Sequence, residues 1–569
     1  MPPTMMYILQ NFHWFVLLIG ALVFFHELGH FLVAKAFNVK VVKFSLGFGP
    51  KLVAFTYGET QYTISLLPLG GYVKMVGESP DELEEGEDRS RSLGARPLWQ
   101  RSLVVLAGPA FNLLLALVVY MGMFIGPHTF GDTRLGIVTE GDQAWAAGIR
   151  PGDRIVAVNS TPIDRWDALR EAIASHPNDT LQLTYVRGDV TSTVAVQTGS
   201  RQEQDAFDQP LSRGKMGVSL QYVLPVVAVV DPQSPAAAAG VRTGDTIVRV
   251  GNTPVGAWHE VRAGIERAQG QGTLTLEVLR DGQPHSVTIV PGPYPQGLDE
   301  PVFSAADVPG PNGYTGLVSK DVTVAQVDPN TPAARANLEV GDRLLALTLF
   351  EPDHPERPAV RRLIGVWNID LVAFGMDTKA RMTLTVQHGS TVRDVPVDLE
   401  IHDENDELRN AHRTYVFGAQ NDAELMGTYT YERPVGVMEA FVEASKQVGE
   451  DMSLIGRGIG KIVQGDIPMA NMGGPIMLFV IAEKSAKRGW DSFMRALAMT
   501  SVNLGLLNIL PIPVLDGGHL LFFGIEAVTR RPPSVKVREW ANTIGLGLLL
   551  LLMVVVFRND VMRFLFHAR

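Results

Sequence analysis

Phe24-Phe25-His26-Glu27-Leu28-Gly29-His30-Phe31-Leu32 decides the reading of this chain, because it sets a metal-binding pattern inside an otherwise apolar helical run. Two histidines four residues apart lie on one helix face, about 40° apart in azimuth and roughly 6 Å apart along the axis. Both imidazoles can then reach one tetrahedral Zn²⁺, and Glu27 is placed to serve as general base on a water. From Trp14 to Ala36 only Lys35 adds a further charge. Ionisable side chains are expensive inside a membrane and mark functional sites there. Three of them in metal-binding register outweigh the bland reading of incidental polar residues near a helix end.

Working outward, a chain of 569 residues is too long for one domain. Its hydrophobic content is 46% and its mean hydropathy +0.11, yet it carries 60 acidic and 49 basic residues. That mixture fits a few membrane spans joined to substantial polar domains. A net charge of −11 without a long basic run argues against a nucleic-acid partner. The acidic run Asp81 to Asp88 reads as a solvated loop. With no cysteine in the sequence, any zinc site must be built from His, Asp or Glu. No Lys or Arg precedes Lys35, and no small-x-small site follows the first apolar run, so that run is expected to stay in the protein.

Four stretches approach the ~20-residue length that a bilayer requires: Met6 to Phe37, Ser102 to Ile125, Phe493 to Leu515 and Ala541 to Phe557. The segments 38–100 and 522–540 are comparatively basic, which by the positive-inside rule puts both in the cytoplasm. The long 128–490 region is then expected outside. The predicted fold class is a multi-pass α-helical membrane protein with about four transmembrane helices, a small membrane-associated β-sheet and extracytoplasmic α+β domains.

Between the second and third spans the chain repeats itself. Arg150-Pro151-Gly152-Asp153-Arg154-Ile155-Val156 recurs as Arg242-Thr243-Gly244-Asp245-Thr246-Ile247-Val248 and as Glu339-Val340-Gly341-Asp342-Arg343-Leu344-Leu345. The aspartates stand 92 and 97 residues apart, a domain-sized period. Each copy follows a small-residue helix start and runs on into alternating strands. These units resemble PDZ domains of the bacterial, protease-associated type over about 135–198, 217–291 and 316–401. PDZ domains bind peptides or chain termini by strand addition. The third copy carries an insertion-like stretch, Phe350 to Pro358.

Two histidines need a third protein ligand. The second polar cluster inside a membrane segment is Asn508-Ile509-Leu510-Pro511-Ile512-Pro513-Val514-Leu515-Asp516-Gly517-Gly518-His519. Asp516 is the favoured third ligand, and His519 competes for the role. The prolines leave free carbonyls, tolerated at membrane depth where they are buried in protein or line a wet cavity.

HExxH in the first span, N-x-x-P-x-P-x-x-D-G in a later one and PDZ-like units between them closely resemble the intramembrane site-two zinc proteases, in particular the bacterial sigma-E-regulating type. The likeness extends to Gly47-Phe48-Gly49-Pro50, Leu69-Gly70-Gly71-Tyr72-Val73 and Gly108-Pro109-Ala110-Phe111-Asn112, and departs in having three repeats where familiar members have two. The resemblance implies one Zn²⁺ per chain held by His26, His30 and Asp516, with Glu27 as the base. It also implies substrate contacts from Asn508, Pro511, Pro513, Asn112, Gly70 and Gly71. Implied partners are transmembrane protein substrates of the anti-sigma-factor kind already trimmed by another protease, remnant signal peptides, membrane lipid, and peptides or chain termini at the PDZ units. Implied localisation is the bacterial inner membrane. The expected domain borders are 1–127, 128–210, 211–300, 301–405, 406–490 and 491–569. An alternating run, Tyr62 to Leu66, reads as a sheet whose exposed edge clamps substrate or which only packs under the helices, and Val435 to Val463 as an amphipathic surface segment or as packing for the third span. The competing reading is a catalytically inactive, membrane-anchored PDZ scaffold; intact His26, Glu27, His30 and Asp516 count against it.

Overall fold

The computed structural model describes residues 3–77, 89–205, 207, 209–267, 272–295, 298, 306–307, 312–351, 354–372, 382–405, 411–466, 469 and 472–563. The acidic run Asp81 to Asp88 lies outside the described residues. The chain divides into two compact units. One is formed by the chain up to His128 and from Pro434 onward, the other by Thr129–Asp406 and Asn410–Arg433.

The first unit starts with helix α1 (Pro3–Ala36), a hairpin of β1 (Val41–Tyr57) and β2 (Thr60–Met75), and helix α2 (Leu98–Phe124). Its second half is helical: α3 (Val437–Gln464), α4 (Pro475–Lys487), α5 (Trp490–Ile509), α6 (Asp516–Thr529) and α7 (Val535–Val561). Among the described residues three helical stretches are long and apolar enough to cross a membrane: Gln10–Ala36, Leu98–Phe124 and Val535–Val561. These coincide with three of the four expected spans. The fourth, expected over Phe493 to Leu515, is helix α5, which carries Asp491, Arg495, Asn503 and Asn508 and stops at Ile509. Pro511 and Pro513 have no N–H to continue the helical ladder, so the chain breaks before α6.

Helices α1, α2, α4 and α5 share one apolar core through Leu18, Leu22, Leu115, Ala482, Phe493 and Leu497. Helix α3 buries Ala440 and Ala444 and exposes Val437, Met438, Phe441 and Val442. Its buried Asp451 accepts from Tyr120 Oη on α2 at 2.6 Å and from Gln447 Nε2 at 3.0 Å. Asp560, at the end of α7, accepts from the N–H groups of Gly474, Ile476 and Met477 and so caps the start of α4. On the hairpin, Arg91 and Lys35 clamp Glu59 and hold its carboxyl well down, at about 2. That anchors the β1–β2 turn to the end of α1.

The second unit is built from three copies of one module. In each, a four-stranded antiparallel sheet carries the Gly-Asp turn at the start of its second strand. The sheets order as Thr161–Pro162, Arg154–Val158, Thr180–Arg187, Val190–Gln197; as Thr253–Pro254, Thr246–Val250, Leu274–Arg280, Gln283–Ile289; and as His354–Leu363, Arg343–Glu351, Met382–His388, Thr391–Val397. A helix follows the first strand pair in two copies (Trp166–Ala174 and Trp258–Arg267), and a π-helical turn (Trp367–Val372) stands there in the third.

The repeated aspartates explain themselves in the fold. Asp153 accepts from Arg150 N–H and from Arg187, Asp245 from Arg242 N–H and Arg280, and Asp342 from Glu339 N–H, His388 and Arg393. Each buried carboxylate thus closes its own turn and pins the far end of the third strand of its sheet. At that strand end His388 replaces the arginine of the first two copies.

One expectation needs correction. Each module closes with a short strand beyond its expected border: Val218–Ser219 pairs with Ile137–Val138, Val318–Ser319 with Val227–Ala228, and Ala419–Gln420 with Gln326–Val327. The borders at 210, 300 and 405 therefore cut each module short, because the returning strand is too brief to stand out as a period-2 pattern. The insertion-like stretch Phe350 to Pro358 is the outer part of a long hairpin in which Phe350 pairs with Pro358.

Candidate metal centre

The HExxH segment lies in α1, and its histidine rings stand 4.9 Å apart between centroids, nearly perpendicular. His26 Nε2 is 3.3 Å from His30 Nε2. Asp516, the first residue of α6, reaches both: its Oδ2 is 3.2 Å from His26 Nε2 and its Oδ1 3.6 Å from His30 Nε2. Two imidazole nitrogens and a carboxylate converge from two helices 480 residues apart in sequence. Among the described residues this is the one group of three or more metal-ligand side chains so close together.

The donor set fits zinc. Ligand bonds of 2.0–2.2 Å in a tetrahedron put neighbouring donor atoms about 3.3–3.6 Å apart; the two histidine nitrogens stand 3.3 Å apart, and the carboxylate approaches one with Oδ2 at 3.2 Å and the other with Oδ1 at 3.6 Å. Three acceptor atoms this close repel one another unless a cation or protons stand between them. His519, the competing ligand, is not part of the cluster.

The backbone is shaped to allow this approach. A Cβ on Gly108 of α2 would stand 2.3 Å from His30 Nε2 and 2.8 Å from His26 Cε1, so only glycine leaves room for both rings. On the far side, a Cβ on Gly517 would meet Leu510 O at 2.1 Å, and one on Gly518 would meet Ile512 O at 2.5 Å. The Gly-Gly pair therefore lets α6 start folded tightly back on the proline loop, which aims Asp516 at α1. Val514 in that loop has φ of +88°, a conformation that a β-branched residue adopts only under strain. A bidentate pair between Arg101 of α2 and Glu526 (2.6 and 3.2 Å) holds α6 against α2 farther along.

Glu27 is buried (8% exposed), and the second strand of the hairpin comes against it: a Cβ on Gly71 would lie 2.9 Å from Glu27 Cγ. Gly70 faces the Phe48 ring instead. Asn508, at the end of α5, places Nδ2 3.4 Å from His26 Nε2, beside the donor cluster. Pro511 and Pro513 lie in the loop just beyond, with Pro513 packed against Gly545 of α7. Asn112 differs from expectation. It is 0% exposed, with Nδ2 3.1 Å from His26 Nδ1, on the side of the ring away from the cluster, so its side chain is not presented to a substrate.

The sequence reading missed two partners. His30 Nδ1 faces Val104 O at 2.8 Å, a backbone acceptor that no side-chain motif could reveal. Gly108 stands out in the sequence only as part of a motif; its small size beside Pro109 in an apolar run is the available signal. Elsewhere, the second unit has a cavity of about 360 Å³ between the 137–142 and 360–366 segments. Its Arg362 pairs with Asp142 at 3.5 Å, and nothing in its lining forms a catalytic constellation.

A model of peptidase family M50 matches residues 14–552. The chain is 29% identical over 574 residues to the regulator of sigma E protease of Salmonella typhi, covering 98% of this chain and all of that one. It is 28% identical over 563 residues to the regulator of sigma-E protease RseP of Escherichia coli (96% and 98% covered), and 28% identical over 566 residues to protease RseP of Yersinia pestis (98% and 100%).

Proposed function

The chain belongs to peptidase family M50 and is a zinc metalloprotease, and from that premise we propose that it cuts single-span membrane proteins within the bilayer after another protease has trimmed them. The observation that carries this reading is the convergence of His26, His30 and Asp516, with Glu27 beside them, on helices of which α1 is long and apolar enough to span a membrane. His26, His30 and Asp516 are the ligands in this reading. Zinc held there supplies Lewis acidity for water activation and for polarising a peptide carbonyl.

The protein's own residues do the rest. Glu27 takes the proton of the attacking water and delivers it to the leaving amine. The Asn508 amide, next to the ligand nitrogen of His26, orients the substrate carbonyl. A helical substrate hides its scissile carbonyl, so it must be opened locally. The β1–β2 hairpin supports that step: Phe48, Leu52, Val53, Phe55, Ile64, Leu66 and Leu67 are exposed apolar side chains, suited to lipid and to an extended substrate added along a strand edge.

In the same proposal the protein is a four-span protein of the bacterial inner membrane, with α5 as the third span and the repeat unit outside the cytoplasm. The three modules are PDZ domains, supported by their shared sheet and returning strand and by the helix of the first two. They admit short stubs and turn away folded external domains. Anti-sigma factors are the substrate class in this reading, in keeping with the sigma-E regulation that the relatives' names state, and remnant signal peptides are a second class.

The test is cleavage in proteoliposomes of a single-span reporter, with and without a folded external domain. The wild type should cut only the trimmed form, inside the span, and Glu27→Gln neither form. Equal cutting by Glu27→Gln, or cuts solely outside the span, would sink the proposal.

A further inference from the structure

Asn112 makes no contact that substrate binding would explain, yet it is completely buried and its amide oxygen has no hydrogen-bond partner. We propose that Asn112 is the positioning residue for His26: its amide oxygen accepts the Nδ1–H and so fixes the tautomer that turns Nε2 toward the metal. The inference rests on the reading of His26, His30 and Asp516 as ligands.

The chemistry of imidazole drives it. His26 Nε2 is the nitrogen that faces Asp516 Oδ2 and His30 Nε2. A neutral ring that gives the Nε2 lone pair to a metal carries its proton on Nδ1, and that N–H needs an acceptor. In the present arrangement Asn112 turns Nδ2, a donor, to His26 Nδ1 at 3.1 Å. Two donors would then oppose each other. A half-turn of the planar amide exchanges oxygen and nitrogen almost without change of shape, and puts the oxygen where the nitrogen stands. Either orientation leaves one amide atom unpaired, so His26 alone decides between them.

His30 shows the same solution with no choice available. Its Nδ1 faces Val104 O, which can only accept. Helix α2 thus supplies both outer partners, Val104 O for one ligand and Asn112 for the other, about two turns apart. The position of Asn112 is held from behind, where Ser501 Oγ of α5 donates to Asn112 O at 2.8 Å. Outer partners of this kind commonly change metal affinity 10–100-fold.

The experiment measures zinc affinity of the purified full-length protein by chelator competition, with cobalt absorption spectra as a second readout of ligand geometry. Asn112→Leu keeps the shape and removes the acceptor; Asn112→Asp keeps the acceptor and removes the donor. The expected result is zinc binding weakened about 10–100-fold in Asn112→Leu, and within a few-fold of wild type in Asn112→Asp. Wild-type affinity in Asn112→Leu overturns the proposal. So does a folded Asn112→Asp that loses zinc, which would make the contact a donated one. If Asn112→Leu fails to fold, the aspartate variant decides alone. His26→Ala separates the two readings: undiminished zinc in that variant would fail the ligand assignment itself.

Discussion

Gly108 of α2 lies directly over His30 of α1, so close that a single added methyl group would stand 2.3 Å from the ring nitrogen facing Asp516. The metal-binding geometry is therefore set as much by a missing side chain on α2 as by the histidines on α1.

Gly108→Ala makes that relationship measurable. Alanine favours the helix by up to about 1 kcal/mol, which offsets part of the cost of displacing the buried His30 ring, so the metal-free protein should still fold. The methyl must push His30 aside, and zinc content should fall well below one per chain. Full zinc content in the alanine variant would show that the rings have room to move.

The roles of ligand and base separate in a second pair of variants. Asp516→Ala should lose zinc. Glu27→Gln should keep it and lose cleavage by about 10²–10⁴-fold, the usual contribution of a positioned acid–base group. His519→Ala should bind zinc like wild type. Loss of zinc there with retention in Asp516→Ala would reverse the assignment.

Val514 offers a test by relief of strain. A non-glycine residue held at φ of +88° costs on the order of 1–3 kcal/mol, and glycine gives part of that back through the freedom of the unfolded chain. Val514→Gly should raise the melting temperature of the detergent-purified protein while retaining zinc. A lower melting temperature would show that the valine side chain contributes more by packing than its backbone loses.

Asp245 sets a pH dependence in the second module. Burial raises its pKa, but the Arg280 guanidinium and the Arg242 N–H hold it, on balance, below the usual carboxylate value. A group depressed in the folded state contributes stability at pH values above its unfolded pKa. That contribution is lost as the pH falls through the folded value, so the module should loosen in acid below about pH 4. Asp245→Ala should lower the stability of the module at neutral pH, because it removes the acceptor for Arg280 and for the Arg242 N–H. It should also flatten the acid limb of a thermal-unfolding series. An unchanged acid limb would place the sensitivity in other carboxylates.

What was legible in the sequence followed from local rules. Histidines four apart on an apolar helix must share a face, and runs such as Leu98–Phe124 are long enough to span by composition alone. The Gly-Asp turns at 153, 245 and 342 announced three modules, since each aspartate serves its own turn. The ends of those modules were not legible: closing strands of two residues carry no periodicity, and their partners lie about 80–95 positions away.

The sequence by itself determined that two histidines and a glutamate stand together on one helix, and it put Asp516 forward as a third ligand. Only the tertiary structure decided how they meet. Asp516 reaches the histidines because Pro511, Pro513 and the Gly517-Gly518 pair fold α6 back, and because Gly108 leaves the rings their space. Asn112, expected at the substrate, instead stands behind His26, since its depth depends on how α2 packs between α1 and α5. Spacing along one helix fixes direction, whereas contacts between helices depend on the shapes of both surfaces at once, and those exist only in the folded chain.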